Sequence, residues 1–139
     1  IRYWAAIACT SFGEQASELA DQAIGLLDDA QPLVRVRAVE FLGAIGKINP
    51  QPILADIVNS TDDAVVATET LNSVVWFRDG FDGRFPVERS DFRPRCQGAD
   101  IADRLNYLAG APVPNSSPNR ANPGQRRRSE EKGGGERSP

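Results

Sequence analysis

Apolar residues recur along this chain in a register that stacked helical hairpins satisfy. From Pro32 to Gly46 they fall at Val34, Ala38, Phe41, Leu42 and Ile45, the spacing of one buried helix face. Thirty-three residues earlier, Ile1, Ala5, Cys9 and Phe12, followed by Gly13, stand where Val34, Ala38, Leu42, Ile45 and Gly46 stand. Thirty-two residues later, Val66, Thr70, Val74 and Phe77 occupy the same four positions. Shorter stripes, Leu19, Ala23, Leu26 and Leu27 and then Leu54, Ile57 and Val58, precede the second and third copies. The polar runs Asp28-Asp29-Ala30-Gln31 and Asn59-Ser60-Thr61-Asp62-Asp63 separate each short stripe from the long one, and turns so brief demand antiparallel helices. Such a unit cannot bury its apolar face alone, so neighbours must stack, as in an α-solenoid.

Pro32 suits the first turn of its helix, where a missing N–H costs nothing, and Gly46 suits a left-handed C-terminal cap. One half-copy and two full ones lie near the minimum of roughly three that such arrays need. The array is therefore expected to continue, or to dock on something, before Ile1. With Ile1 first and no Met, the chain reads as a fragment or a processed product. Tyr3, Trp4 and Ile7, beside the first stripe, are expected to face whatever precedes them.

Composition removes whole classes of chemistry. There is no His, so Ser-His-Asp, Cys-His and His-metal arrangements are all excluded. The two cysteines allow at most one bridge, Cys9 to Cys96, and neither lies beside an obvious base. Residues 1–110 carry ten Lys/Arg against sixteen Asp/Glu, which argues against general nucleic-acid binding. No window is long and apolar enough for a membrane span. Glycine-rich phosphate loops are missing, and the carboxylate pairs Asp28-Asp29 and Asp62-Asp63 sit in turns, where acids favour the following helix N-terminus. No catalytic, cofactor-binding or metal residue is assigned.

After Phe77 the period stops. Arg78-Asp79-Gly80-Phe81-Asp82-Gly83-Arg84 reads as turns, lacking the ligand pattern of a calcium loop. The stretch from Phe85 to Cys96, with Pro86 and Pro94, reads as an extended apolar strap laid along the helices. A short helix follows from about Asp100 to Ala109, with Ile101, Leu105 and Leu108 on one face and Gly110 as its stop. Residues 111–139 are rich in Pro, Gly, Ser and Asn and are expected to be disordered. The fold expected is all-α: helical repeats over 1–79, strap and short helix over 80–110, and a tail over 111–139.

The unit resembles a HEAT-type, armadillo-like repeat. Asp28-Asp29-Ala30-Gln31-Pro32-Leu33-Val34-Arg35-Val36-Arg37-Ala38 is similar to that family's D-x-x-P-x-V-R-x-x-A segment, and Ile1-Arg2-Tyr3-Trp4-Ala5 keeps its V/I-R-x-x-A spacing. The third copy departs from it, Val66-Ala67-Thr68-Glu69-Thr70 having neither the Arg nor the Ala. In the family the turn Asp and the helix Arg pair along the stack. The resemblance thus implies structural roles for Asp29, Arg2 and Arg35, in a ladder of charge-assisted bonds.

A more specific resemblance spans residues 1–110. Ile1-Arg2-Tyr3-Trp4-Ala5-Ala6, Phe85-Pro86-Val87-Glu88-Arg89-Ser90-Asp91-Phe92-Arg93-Pro94 and Ile101-Ala102-Asp103-Arg104-Leu105-Asn106-Tyr107-Leu108 are similar to the C-terminal extension of certain bacterial sulfatases. In those enzymes an alkaline-phosphatase-like domain precedes a helical region. The calcium site and the formylglycine precursor, in a Cys- or Ser-x-Pro-x-Arg segment, belong to that preceding domain. Cys9-Thr10-Ser11-Phe12-Gly13 and Cys96-Gln97-Gly98-Ala99-Asp100 both lack that Pro and Arg, so no functional residue carries over and no cofactor is expected here. The resemblance implies a non-catalytic region of an exported sulfate-ester hydrolase, periplasmic or extracellular, whose partner is the preceding catalytic domain. The alternative is a free-standing HEAT-repeat scaffold that binds a protein on its concave face.

Overall fold

In the computed structural model, which describes residues 1–110 and Pro112, every regular element is helical. The tail expected over 111–139 lies outside the described residues, Pro112 apart. Helix α1 spans Arg2–Phe12, α2 Ala20–Gly25, α3 Pro32–Ala44, α4 Pro50–Ser60, α5 Ala64–Gly80 and α6 Ala99–Leu108. The longer second helices of the hairpins stack in sequence: α1 packs on α3, α3 on α5 and α5 on α6. The shorter first helices, α2 and α4, pack on α3 and α5 respectively.

Local chemistry sets the helix ends. Pro32 occupies the first turn of α3, and Gly46, at φ +76°, ends it. There the Lys47 N–H donates to the Leu42 carbonyl at 2.9 Å and the Gly46 N–H to Gly43 at 3.1 Å, the paired bonds of a Schellman cap. Asn49 caps α4 by accepting from the Gln51 N–H, with Pro50 next. Asp63 caps α5, its Oδ1 accepting from the N–H groups of Val65 at 2.8 Å and Val66 at 3.4 Å. The acid in that turn does the structural work expected of it.

The main core joins Val36 and Val39 of α3, Leu54, Ile57 and Val58 of α4, and Val66, Leu71, Val74 and Phe77 of α5. A smaller one joins Ala16, Ala20 and Ala23 to Phe41 and Leu42, with Cys9 packed against it as a small apolar side chain. Gly43 permits the closest approach of α3 and α5: a methyl group there would sit 2.7 Å from Cζ of Phe77.

The strap takes the place of a third first helix. Phe85 and Phe92 are buried in the main core. Gln51 Nε2 donates to the Phe85 carbonyl at 2.9 Å, and Asn59 clasps the strap from both sides. Its Nδ2 donates to the Asp91 carbonyl at 2.9 Å, and its Oδ1 accepts from the Arg93 N–H at 2.6 Å. Helix α6 then closes the stack with Ile101, Leu105 and Leu108 inward, as their spacing predicts.

Three expectations are corrected. In α1 the buried side is Ala6, with Tyr3 half-buried, while Ile1, Ala5 and Phe12 of the anticipated stripe are exposed. Tyr3, expected with Trp4 and Ile7 to face whatever precedes the chain, instead stands with Ala6 where Val36 and Val39 stand in α3, on the side that meets the next copy in the stack. The first helix of the second hairpin is broken, with 3-10 turns at Gly13–Leu19 and Leu26–Asp28 flanking α2. Its buried residues are alanines and Leu19 points outward, since the bulky Phe41 and Leu42 opposite leave room only for small side chains. Helix α5 continues through Arg78 to Gly80 instead of ending at Phe77, because Arg78 is buried and bonded to the end of α6. Asp82 and Gly83, both at positive φ, then make the turn.

Candidate interaction surface

The second helices present one continuous polar seam. Arg37 of α3 lies at its centre, its side chain 14% exposed. Nη1 donates to Glu40 Oε1 at 2.6 Å, Nη2 to Glu69 Oε2 of α5 at 2.8 Å, and Nε to the Tyr3 hydroxyl of α1 at 3.3 Å. The guanidinium also lies over the Tyr3 ring, 5.4 Å from its centroid. Burial works against the Arg37 charge, but the Glu40 carboxylate and the bonds to Tyr3 and Glu69 outweigh it and hold the pKa above the ordinary arginine value. Ser73 of α5 donates to the same Glu40 oxygen. Further along, Arg104 Nε of α6 donates to Asn72 Oδ1 at 2.7 Å, and the Tyr107 hydroxyl donates to Asp79 Oδ2 at 2.6 Å. That bond to Asp79 raises the Tyr107 pKa.

Helices α1, α3, α5 and α6 are thus tied side by side through paired side chains. Next to the seam stands Trp4, 70% exposed, with its ring edge-on to Tyr3 at 5.2 Å. Exposed Trp with neighbouring Tyr and Arg is the composition of a protein-binding hot spot.

Of the residues expected in the charge ladder, Arg2 and Asp29 meet. Arg2 Nε lies 2.6 Å from Asp29 Oδ2, and Asp29 Oδ1 accepts from the Gln31 N–H at 2.9 Å. The Gln31 N–H and then Arg2 hold the Asp29 carboxyl below its usual pKa. Arg35 forms no such rung, contrary to expectation. The acid one repeat on from Asp29 is Asp62, which faces outward to Arg95 of the strap at 3.3 Å, and Arg35 Nε is buried without a partner. The bond between copies is made two residues later by Arg37 and Glu69. These occupy the same repeat position on successive helices, and reading the copies in register for opposite charge would have found them.

Among the described residues no group of three His, Cys, Asp or Glu could hold a metal ion, and no helix is long and apolar enough to cross a membrane. Cys9 and Cys96 are both free and half-buried. Cys96 lines an open groove with Arg89, Arg93, Ile101 and Leu105, without an acid–base partner.

Hairpins stacked in register, with second helices side by side and first helices alternating beside them, define the helical-repeat class of proteins. The sequence matches the HEAT repeats family over residues 1–74, so the chain belongs to that family. No curated protein and no solved structure matches it. HEAT repeats are non-catalytic units that commonly mediate protein–protein interaction, and this surface has the composition for that role.

Proposed function

We propose that this chain is a non-catalytic interaction scaffold whose contact face is the row of second helices, anchored at Trp4. One observation carries the reading. Tyr3, Arg37, Glu40, Glu69 and Ser73 tie three helices side by side and hold the Arg37 guanidinium between two carboxylates, while Trp4 beside them is left bare. A rigid face with an exposed aromatic anchor binds at low entropic cost.

The similarity of Ile1–Ala6, Phe85–Pro94 and Ile101–Leu108 to the C-terminal extension of bacterial sulfatases makes an alkaline-phosphatase-like catalytic domain the partner of choice. On that reading the region works at the periplasmic or extracellular side, and calcium and formylglycine belong to the partner.

Biolayer interferometry between residues 1–139 and a bacterial sulfatase domain stripped of its own C-terminal extension tests both parts. Binding at micromolar Kd or tighter is expected, weakened about tenfold or more by Trp4→Ala. Absence of binding overturns the sulfatase partner, and binding indifferent to Trp4→Ala overturns the assigned face. Residues 1–139 alone are expected to show no turnover of an aryl sulfate ester, with or without calcium.

A further inference from the structure

The strap and the N-terminal end of α6 border an open groove of about 660 Å³. Its floor is apolar, with Phe92, Ile101 and Leu105 buried and Cys96 half-buried beside them. Its rim is basic: Arg89 and Arg93, both exposed, line the groove, and no Asp or Glu does. Among the described residues Arg2, Arg37, Arg78, Arg95 and Arg104 each lie against a carboxylate, whereas Arg89 and Arg93 pair with none. Arg89 is nonetheless held in place, its Nη1 donating to the Phe92 carbonyl at 2.9 Å. Helix α6 starts on the same groove, at Gly98 and Ala99, without a side-chain cap, so the positive end of its dipole is open there. Asp100, the acid of that first turn, lies 3.6 Å from Arg104 and is not part of the lining.

We propose that this groove binds an acidic peptide segment of a partner protein, with a bulky apolar side chain on the floor and carboxylates at Arg89 and Arg93. Charge complementarity selects the occupant. Two guanidinium groups without carboxylate partners favour carboxylates, which they can grip with two parallel bonds. A bare phosphate or a nucleic-acid backbone would leave the apolar floor uncovered. A long polyanion would also meet the sixteen Asp/Glu of residues 1–110, which outnumber their ten Lys/Arg. A short segment instead feels the local rim, because charges farther off than a Debye length of about 8 Å are screened. Residues 111–139 carry six Lys/Arg against three Glu, the wrong sign to occupy this rim themselves. No residue of the groove belongs to the polar seam, so this site does not depend on the contact face proposed above.

Fluorescence anisotropy of residues 1–139 with a dye-labelled hexapeptide, Asp-Glu-Leu-Phe-Glu-Asp, is the test. A Kd of about 10 to 100 µM is expected, the range of a small groove with few anchors. Arg93→Glu should weaken binding about tenfold or more, and so should Ala102→Glu, which sets a carboxylate in the groove from an exposed position of α6. Circular dichroism checks that both variants are folded. A peptide with Lys in place of Asp and Glu should bind about tenfold more weakly, and Trp4→Ala should bind the acidic peptide like the wild type. Saturating peptide should also slow the reaction of Cys96 with N-ethylmaleimide, read by mass spectrometry. No binding up to about 1 mM, equal binding of the Lys peptide, or affinity that both groove variants leave intact overturns the proposal. Affinity that rises about tenfold in Glu130→Ala/Glu131→Ala overturns it by giving the groove to the chain's own C-terminal segment. Self-association that Arg93→Glu abolishes overturns it by giving the groove to a second copy.

Discussion

Phe77→Ala will remove about 3 to 5 kcal/mol of stability, the cost of truncating a fully buried Phe where the surroundings cannot collapse. The ring is 0% exposed and joins three parts of the chain. It meets Phe85 of the strap edge-on at 5.3 Å and Phe81 of the turn at 5.2 Å, and its far edge fills the notch at Gly43 of α3. Removing it leaves a cavity between α3, α5 and the strap together. A single domain commonly has only about 5 to 15 kcal/mol in total, so this variant should be largely unfolded in mild denaturant. Urea unfolding followed by circular dichroism measures the loss. A change below about 1 kcal/mol, the size of an ordinary substitution, would mean that the ring is not in the core.

Arg78→Ala will cost about as much, roughly 3 to 5 kcal/mol, because it strips a buried ion pair of one partner. The Arg78 side chain is 3% exposed and that of Asp79 is 9% exposed, with Nε to Oδ1 at 2.9 Å. Nη1 also donates to the carbonyls of Leu108 and Gly110, both at 3.2 Å, where α6 ends and its last carbonyls lack helical partners. The guanidinium stacks on Tyr107, 5.0 Å from the ring centroid. Arg78→Lys keeps the charge but not the planar fork, so it should recover only part of the loss. Limited proteolysis reads the local consequence. Cleavage within residues 99–110 is expected to rise sharply in Arg78→Ala while α3 and α4 stay resistant. Cleavage unchanged from wild type would show that α6 is held by Ile101, Leu105 and Leu108 alone.

Much of this architecture was legible in the chain because regular spacing has few physical solutions. The stripe Val34, Ala38, Phe41, Leu42, Ile45 could only be a helix with one buried side, and Pro32 and Gly46 marked its ends. Phe85 and Phe92, alternating with prolines and charges, could only be buried by an extended strap. Periodicity failed where two faces of one helix were both apolar or small. On α1 the stripe through Ile1 and Phe12 looked like the core, yet Tyr3 and Ala6 make the contact with α3. It failed again where packing overrode helix propensity: the alanine face of Gly13–Asp28 fits against Phe41 and Leu42 only as a broken helix.

The polar surface was harder to read, because it depends on pairs distant in sequence. Arg35 matched a family pattern, but its expected acid, Asp62, faces Arg95 instead. Arg37, two residues on, had no local signal beyond Glu40 at i+3, and its bond to Glu69 appears only when copies are aligned in register. Gln51, Asn59 and Arg78 look like surface residues in the sequence. Each is instead committed to backbone groups of a segment more than twenty residues away.

The central claim is that repeats, strap and closing helix form one stacked body, so that the second helices offer a continuous rigid face. Native-state hydrogen exchange tests it most directly, because each amide reports the free energy of the opening that exposes it. The Arg93 N–H, held by Asn59 Oδ1, and the interior amides of α3, α5 and α6 are expected to exchange at one shared free energy, that of global unfolding. If Arg93 and α6 exchanged at loop rates while α3 and α5 stayed protected, strap and closing helix would be separate from the stack and the continuous face would not exist.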